Sequence, residues 1–423
     1  MRYLVVISAV WCLSEGYRID YRTSAKIAPK EYSEPLILTP YIHNGSISEG
    51  REASKVKPMI EDIASYSGFF KVNSSSNGNL FFWYFPAENA PEEAPVMLWL
   101  QGGPGGSSMY GLFLEHGPLQ LKKDHQLEKR PTRWTQNIHM IYIDSPVGTG
   151  FSFSNREGYA KTEDQVSANL YESLTQFFQL FPEIAKNEFF VAGESYAGKY
   201  VPALADKIHR ENPKAEVKIN LKGLAIGDGV VDPMPMMLGH TMTYKPIYED
   251  DNELVADHID AHFHRNLERW RHLRTDSEIL MNQYLNRADV QKQIHVSGLN
   301  YDWLNYDVLD ILDKYDWNTP VTGWVEQLLN HCRVLYYNGK IDPLIDYKST
   351  LRFAETLKWG GSEEFKSAKM TEWSVRGESA GNFRTGGNLT LVQVNKAGHM
   401  VPEDQPEWAF EMINKFVKNE PLM

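Results

Sequence analysis

The sequence contains very little cysteine: its 423 residues include only Cys12 and Cys332. If Cys12 leaves with an N-terminal leader, the mature chain keeps one unpaired thiol and no disulfide. This excludes the small extracellular domains that depend on several disulfides. A chain of this length can do without such cross-links, because it can bury a large hydrophobic core.

Basic charge and long apolar runs are also scarce. Lys and Arg number 43 against 55 Asp and Glu, which gives a formal net charge of −12. Such a chain repels phosphate backbones, so no nucleic-acid partner is expected. After the N-terminus no apolar stretch is long enough to span a bilayer, so no membrane span is expected. Hydrophobic residues make up 42% and charged residues 23%, as in ordinary globular proteins.

The N-terminus has the pattern of a signal peptide. Arg2 precedes an apolar run from Tyr3 to Leu13, and small residues follow. The run is too short to cross a membrane, and the alternative is a buried N-terminal strand. We assign residues 1–16 to a signal peptide and expect a secretory route, ending in the lysosome or outside the cell. Three glycosylation sequons fit this route: Asn44, Asn73 and Asn388.

Alternating strand and helix patterns dominate the rest of the chain. Residues 17–60 are polar and contain proline, which predicts an extended leading segment. Two aromatic-rich runs between Tyr66 and Phe85 flank an Asn-Ser-Gly cluster and predict a β-hairpin. The remaining predicted strands are 96–100, 139–143, 188–192, 221–226, 334–337 and 389–394, and the predicted helices are 162–180 and 196–209. The alternation predicts a mostly parallel sheet with helices on both faces.

The pattern changes between residues 232 and 286. A single helical stripe of apolar residues, with many charges between them, predicts a helical cap inserted over the sheet edge: Leu254, Ile259, Phe263, Leu267 and Trp270. The cap would divide the core into a first part, 17–231, and a second part, 287–423.

His258 and His262 in this segment have the i, i+4 spacing of metal ligands on a helix. No Glu follows His258, and the surrounding residues are charged. A solvated helix face is the better interpretation, so neither a metal nor another cofactor is expected.

The strongest local signal is GESYAG at 193–198, between a predicted strand and a predicted helix. A nucleophilic serine needs such a sharp turn, and it also needs a base that a carboxylate orients. The motif departs from G-x-S-x-G, because Ala197 precedes the second glycine. Asp342 and His399 each follow a late predicted strand, in the chain order Ser, Asp, His that α/β-hydrolases use. The pattern predicts a triad of Ser195, Asp342 and His399.

A glycine-rich loop, WLQGGPGGSS at 99–108, directly follows a predicted strand. Glycines let backbone N–H groups approach an oxyanion closely. The alternative is a phosphate-binding loop, but Pro104 removes a donor and no Lys follows the glycines. The loop is therefore interpreted as part of an oxyanion hole.

Five motifs in order resemble those of the serine carboxypeptidase family. They are WLQGGPGGSS (99–108), DSPVGTGFS (144–152), GESYAGKYVPA (193–203), NGxxD (338–342) and GHMVP (398–402). The resemblance covers about residues 35–235 and 285–420. The GGPGG variant, the Gln before it and FLEHGP (113–118) are most similar to the vitellogenic-like carboxypeptidases. The resemblance implies an α/β-hydrolase fold with a mostly parallel sheet, and the predicted helical cap at 232–286 is shorter than the cap usual in the family.

The resemblance also implies roles for individual residues. Ser195 would be the nucleophile, His399 the base and Asp342 the residue that orients it. Backbone N–H groups of Gly103 and Tyr196 would form the oxyanion hole. The substrate carboxylate would be bound by Gln101, Gly102 and Glu194, with Glu115 paired to Glu194.

The activity implied is removal of C-terminal residues from peptides and proteins through an acyl-enzyme on Ser195. Glu194 and a substrate carboxylate cannot both be ionised at hydrogen-bond distance, so acidic pH should favour peptide hydrolysis. Alternatives are an esterase or acyltransferase on the same triad, and a non-catalytic binding or storage protein. The intact triad argues against the last. The sequence leaves a homodimer open.

Some residues depart from the family pattern. Gln101 stands where many members have Asn, and the family's disulfides are absent. Lys340 and Asp346 occupy loop positions where an acid and an amide are common, and Lys340 could perturb the Asp342 carboxylate. These departures bear on substrate preference and stability.

Overall fold

A computed structural model describes residues 34–236 and 274–422, and these form one large sheet surrounded by helices. The sheet has 11 strands in the order β1-β2-β3-β7-β4-β8-β9-β10-β13-β12-β11, and a separate pair joins β5 and β6. The strands are β1 (Lys55–Val56), β2 (Ser65–Asn73), β3 (Gly78–Phe85), β4 (Val96–Leu100), β5 (Leu119–Leu121), β6 (Leu127–Lys129), β7 (His139–Ile143), β8 (Phe189–Glu194), β9 (Leu221–Gly227), β10 (Arg333–Gly339), β11 (Thr371–Val375), β12 (Glu378–Gly386) and β13 (Leu389–Val394).

The centre of the sheet is parallel and its two ends are antiparallel. Strands β7, β4, β8, β9, β10 and β13 run parallel to one another, while β1, β2 and β3 at one end and β12 and β11 at the other pair in antiparallel fashion. The predicted mostly parallel sheet is therefore confirmed. The carboxyl ends of the parallel strands meet along one edge, where ligand sites of such sheets usually lie.

Helices of the described residues are distributed along the whole chain. They are α1 (Thr39–His43), α2 (Ile47–Ser54), α3 (Glu163–Leu180), α4 (Ala197–Glu211), α5 (Asp276–Leu285), α6 (Ala288–Gln293), α7 (Tyr306–Tyr315), α8 (Thr322–Leu328), α9 (Tyr347–Thr356), α10 (Ser362–Ser367), α11 (Val401–Asp404) and α12 (Pro406–Val417). A π-helical turn covers Gly111–Glu115. Among these helices, none combines the length and the apolar character needed to cross a membrane.

Two hydrophobic cores, one on each face of the sheet, explain why the central strands are continuously apolar. In β4, Leu98 packs in the core that contains Leu174 of α3. Its neighbours Met97 and Trp99 point the other way, into the core that contains Met412 of α12. Successive side chains of a strand alternate between faces, so both sets must be apolar when helices cover both sides.

The aromatic hairpin and the central elements lie close to their predicted positions. Strands β2 and β3 pair with Phe70 opposite Leu80, and the turn falls in the predicted Asn-Ser-Gly cluster. Helix α3 begins after Thr162, whose side chain accepts a hydrogen bond from the Gln165 amide as an N-cap. These signals are local, so the sequence alone was sufficient for them.

Two sequence-based expectations need correction or lie outside the description. The segment 17–60 was predicted to be extended, but residues 39–54 hold the helices α1 and α2. Most of the predicted cap, 232–286, is outside the described residues, together with its apolar stripe from Leu254 to Trp270, His258 and His262. From residue 274 onward the chain is described and forms α5. Residues 1–16 and Cys12 are also outside, so the signal peptide stays a prediction.

Candidate active site

Ser195 lies in the sharp turn between β8, which ends at Glu194, and α4. Its φ of 60° is in the left-handed region, which is uncommon for a residue with a side chain. Its amide donates to the Gly227 carbonyl (3.0 Å), and its carbonyl accepts from the amides of Gly198 (2.9 Å) and Val230 (3.0 Å). The chain after β9 therefore fixes the turn. The half-buried serine sits at a strand-to-helix elbow of the kind that nucleophiles occupy.

The glycine-rich loop packs directly against this turn. A Cβ atom added to Gly102 would lie 2.7 Å from the Glu194 carbonyl oxygen, the Ser195 Cβ and the Tyr196 nitrogen. Real Cβ atoms do not approach other atoms so closely. Gly102 therefore allows the backbone of the loop to reach the nucleophile turn.

Replacing Gly102 by alanine is expected to destabilise the protein by about 1–3 kcal/mol, because the added methyl group overpacks a backbone contact. Labelling of Ser195 by a fluorophosphonate should fall as well, since the turn must move. Thermal unfolding and labelling rates would measure both effects. Gly323→Ala is a matched control, because a Cβ there meets nothing within 4 Å. Equal behaviour of the two variants would contradict the packing argument.

His399 and Asp342 form a buried pair at the carboxyl ends of neighbouring strands. The loops after β10 and β13 carry them, and His399 Nδ1 lies 2.8 Å from Asp342 Oδ2. Asp342 Oδ1 accepts from the Leu344 amide at 2.7 Å. Burial alone would raise the pKa of the Asp342 carboxyl, but His399 and the hydrogen bonds hold it below its ordinary value. The arrangement is that of a carboxylate orienting an imidazole base.

Backbone hydrogen bonds tie the two loops together. The Lys340 amide donates to the Val394 carbonyl (2.9 Å), and the Ile341 amide donates to the Ala397 carbonyl (3.0 Å). The Lys340 ammonium donates to Asn382 Oδ1 of β12 at 2.6 Å. Among the charged neighbours, His399 has the largest effect on the pKa of Asp342.

Gln101 and two glutamates form a second buried cluster beside the nucleophile turn. Gln101 Nε2 donates to Glu194 Oε1 (2.6 Å), and Gln101 Oε1 accepts from the Trp99 indole (2.9 Å). Glu115 and Glu194 are both fully buried, and their carboxyl groups lie close enough to interact electrostatically. Two buried carboxyl groups that repel each other favour a state in which one of them holds a proton.

The pKa values of both glutamates are raised. Burial, with repulsion from Glu403, raises the pKa of Glu115 to about 8. Burial, with repulsion from Glu115 and Asp228, raises the pKa of Glu194 well above its ordinary value. The cluster therefore keeps a proton at neutral pH, and it can donate a hydrogen bond to an anion.

Tyr196 directly follows Ser195, and Gly103 follows the glycine that contacts the Ser195 turn. Neither amide donates a hydrogen bond to another of the described residues. The Tyr196 hydroxyl donates to Asp316 (3.1 Å), which also forms a buried ion pair with Lys199. These contacts anchor the start of α4, and the two amides remain available to an oxyanion.

Asp144 opens the motif DSPVGTGFS, but the sequence alone predicted no role for it. Asp144 is fully buried and accepts from the Ser107 hydroxyl (2.6 Å) and the amides of Ser108 (3.0 Å) and Phe151 (2.8 Å). It holds the glycine-rich loop against the loop after β7. Burial raises its pKa to about 7. Its position directly after a buried strand was the available signal.

Asp228 was missed altogether. It follows β9, and a carboxyl oxygen of it lies within 4.8 Å of the Asp342 carboxyl and the His399 ring. This spacing would also suit a metal ion. Asp342 and His399 are hydrogen-bonded to each other, however, and Asp228 accepts from the Gly339 amide at 2.9 Å. A hydrogen-bonded array accounts for the cluster.

The predicted sequons and the free cysteine are also placed by the structure. Asn44 and Asn388 are exposed, and Asn73 is partly exposed. Cys332 is buried, and burial raises the pKa of its thiol to about 12. A thiol in such an environment is unreactive and has a structural role.

The fold and this site define an α/β-hydrolase with a serine at the nucleophile elbow. The KEX1 prohormone-processing carboxypeptidase of Saccharomyces cerevisiae has the same fold, with a TM-score of 0.75 and 22% identity over 87% of this chain and 96% of that chain.

The sequence comparisons are more specific. The family model described as serine carboxypeptidase matches residues 56–269 and 236–419. The probable serine carboxypeptidase CPVL of Homo sapiens is 39% identical over 95% of this chain and 93% of its own length. The venom serine carboxypeptidase of Apis mellifera is 40% identical over 99% and 100%, and the vitellogenic carboxypeptidase of Aedes aegypti is 40% identical over 93% and 92%. The chain belongs to the serine carboxypeptidase family, and it is a hydrolase of the exopeptidase class.

Proposed function

We propose that the protein removes C-terminal residues from peptides and proteins through an acyl-enzyme on Ser195. The observation that carries this proposal is the buried Glu115–Glu194 pair, which adjoins the turn at Ser195 and in which Glu194 accepts a hydrogen bond from Gln101. Burial raises the pKa values of both glutamates, which favours a protonated pair. A pair of this kind suits a substrate that ends in a carboxylate. An esterase whose substrates lack a terminal carboxylate does not need such a pair.

In the first half of the reaction, Ser195 Oγ attacks the scissile carbonyl carbon and His399 accepts the hydroxyl proton. Nδ1 of His399 is engaged by Asp342, so Nε2 is the nitrogen that serves as base. The imidazolium then gives the proton to the leaving amine, the C–N bond breaks, and an ester on Ser195 remains. A water molecule then attacks the ester carbon while His399 accepts its proton. The bond to Ser195 Oγ breaks, the imidazolium returns the proton to Ser195, and the shortened peptide is released.

Negative charge develops on the carbonyl oxygen in both halves of the reaction. The amides of Gly103 and Tyr196 would donate to it, and two such donors typically contribute several kcal/mol to the transition state. The φ of 113° at Gly103 supports this role, because it turns the loop in a way that favours glycine.

The substrate carboxylate would be received by Gln101, the Gly102 amide and the Glu194–Glu115 pair. A protonated Glu194 donates to a carboxylate, whereas an ionised one repels it. Acidic pH should therefore favour peptide hydrolysis. Neither a metal nor an organic cofactor takes part in this scheme.

A matched pair of substrates tests the proposal. An N-blocked dipeptide with a free C-terminus should be hydrolysed, and the same dipeptide with a C-terminal amide should be cleaved far more slowly. The amide is close in size to the carboxylate but carries no charge, so the comparison isolates the terminal group. Released amino acid or amino acid amide is quantified by chromatography.

Equal rates on the two dipeptides would show that the terminal carboxylate is not recognised. No cleavage of either, with Ser195 still labelled by a fluorophosphonate, would favour an esterase or acyltransferase on the same triad. Absence of labelling would favour a non-catalytic binding protein.

The secretory pathway is the proposed location, with residues 1–16 removed as a signal peptide and the enzyme delivered to the lysosome or the cell exterior. Exposed sequons at Asn44 and Asn388 support this, as does a relative named for venom. Glycosylation of Asn73 is part of the same proposal. N-terminal sequencing of the mature protein, together with glycan mapping, would check it, and a retained Met1 would argue against it.

A further inference from the structure

Asp228 is a buried carboxyl group that the mechanism above does not use. It directly follows β9, has no exposed surface, and has a φ of 43°, in the left-handed region. Its amide donates to the Tyr337 carbonyl of β10 at 2.8 Å. The backbone at the end of β9 therefore holds this side chain in one place, beside the Asp342 loop.

The two oxygens of Asp228 have different surroundings. Oδ1 accepts from the Gly339 amide (2.9 Å) and from the Asn338 side-chain amide (3.3 Å). Oδ2 is buried and accepts no hydrogen bond from any residue in the described part of the chain. An oxygen without a donor is the one that keeps a proton, because an unsolvated negative charge there would be costly.

In contrast to Asp228, both carboxyl oxygens of Asp342 have a hydrogen-bond partner. Its Oδ2 is paired with His399 and its Oδ1 accepts from the Leu344 amide. Two buried carboxyl groups in contact cannot both be ionised at low cost. The proton therefore belongs to Asp228 and the charge to Asp342. Burial and the nearby Asp342 raise the pKa of Asp228 well above its ordinary value, in agreement with this division.

We propose that Asp228 acts as a neutral acid that donates a hydrogen bond to the Asp342 carboxylate and thereby positions it for His399. This inference rests on the proposed function, since it assigns Asp342 to the triad. Asp228 would be a positioning residue: it acts on the reaction only through Asp342. The hydrogen bond would fix the rotation of the carboxylate, so that Oδ2 stays directed at the imidazole.

Asparagine is a close mimic of a protonated aspartic acid at this position. Its carbonyl oxygen can accept from Gly339 and Asn338 as Oδ1 does now, and its NH₂ group can donate to Asp342. Alanine removes both functions. The two variants therefore separate hydrogen bonding from the presence of a carboxyl group.

The experiment compares the full-length wild type with Asp228→Asn and Asp228→Ala, using a neutral ester so that the substrate carboxylate plays no part. Asp228→Ala should lower kcat about tenfold or more with little change in KM, because a hydrogen bond to a charged group is lost. Asp228→Asn should restore most of kcat. Thermal midpoints of all three show whether the variants are folded.

The pH profile provides a second measurement that a purely structural role would not affect. The titratable groups around Asp228 are Asp342, His399, Glu194 and Tyr337. In the wild type, ester hydrolysis should decline when the pH rises far enough to ionise Asp228, because the donor then becomes a second anion. Asp228→Asn has no proton to lose, so its alkaline decline should be smaller. This comparison works even if Asp228→Ala does not fold.

Full activity of Asp228→Ala, or a loss in Asp228→Asn equal to that in Asp228→Ala, would overturn the inference. An alkaline decline that is identical in wild type and Asp228→Asn would also overturn it. Failure of the proposed function looks different. A wild type that cleaves the ester but no peptide would refute the carboxypeptidase and leave the Asp228 comparison intact, whereas a wild type that cleaves neither would refute the triad.

Discussion

Replacing Ser195 by alanine should lower release of C-terminal amino acids by about 10⁴-fold or more, as loss of a catalytic nucleophile does in serine proteases. The change removes one oxygen atom and keeps Cβ, so the turn at φ 60° should persist. Thermal stability should therefore stay near that of the wild type. Amino acid released from an N-blocked dipeptide, with the enzyme in large excess, measures the residual rate.

Ser173→Ala is a suitable control for this experiment. Ser173 is fully buried in α3, and its hydroxyl has no hydrogen-bond partner among the described residues. The variant should keep the wild-type rate. If Ser195→Ala still released amino acids at a comparable rate, the nucleophile would have to be another residue.

The ratio of peptide to ester hydrolysis should rise as the pH falls from 9 to 6. The pKa of Glu115 is raised to about 8 and that of Glu194 well above its ordinary value, so the pair is protonated at neutral pH and loses a proton as the pH rises through about 8. The anionic pair then repels the substrate carboxylate. If one proton is required, kcat/KM for the peptide falls about tenfold per pH unit above the controlling pKa. The ratio to a neutral ester removes the pH dependence of the triad, which both substrates share.

Glu194→Gln tests the origin of this pH dependence. Glutamine keeps a hydrogen-bond donor for the substrate carboxylate but has no proton to lose. The ratio should therefore vary less with pH in this variant, and peptide binding at alkaline pH should be less impaired than in the wild type. A ratio that is flat from pH 6 to 9 in the wild type would contradict the proposed carboxylate site.

The central fold could be predicted because its signals are local. Strands such as β4 and β7 are short, continuous runs of apolar residues, which is typical of buried strands. Helix α3 has apolar residues at helical spacing and an N-cap at Thr162. The antiparallel strands β11 and β12 were missed. Their sequences mix Glu, Ser, Asn and Gly with single aromatic residues, since one side of this sheet edge faces solvent. The pairing of β12 with β13, and of β11 with β12, depends on contacts that no local pattern contains.

The residues of the candidate site also differ in whether a local sequence pattern identifies them. Ser195 lies in a recognisable motif, and Asp342 and His399 follow strands in a diagnostic order. Asp228 is one acid among many in the sequence, and its significance comes from an approach to Asp342 across 114 positions of the chain. Glu403, which is exposed on α11 yet raises the pKa of Glu115, was equally out of reach. Only the folded chain brings such groups together.

Strand β13 lies inside the sheet, between β10 and β12, and the loop after it carries His399. Residues on both sides therefore hold the strand that precedes the proposed base. β13 cannot leave the sheet without breaking its hydrogen bonds to both neighbours, so fraying of the outermost strands should leave the proposed imidazole base in place.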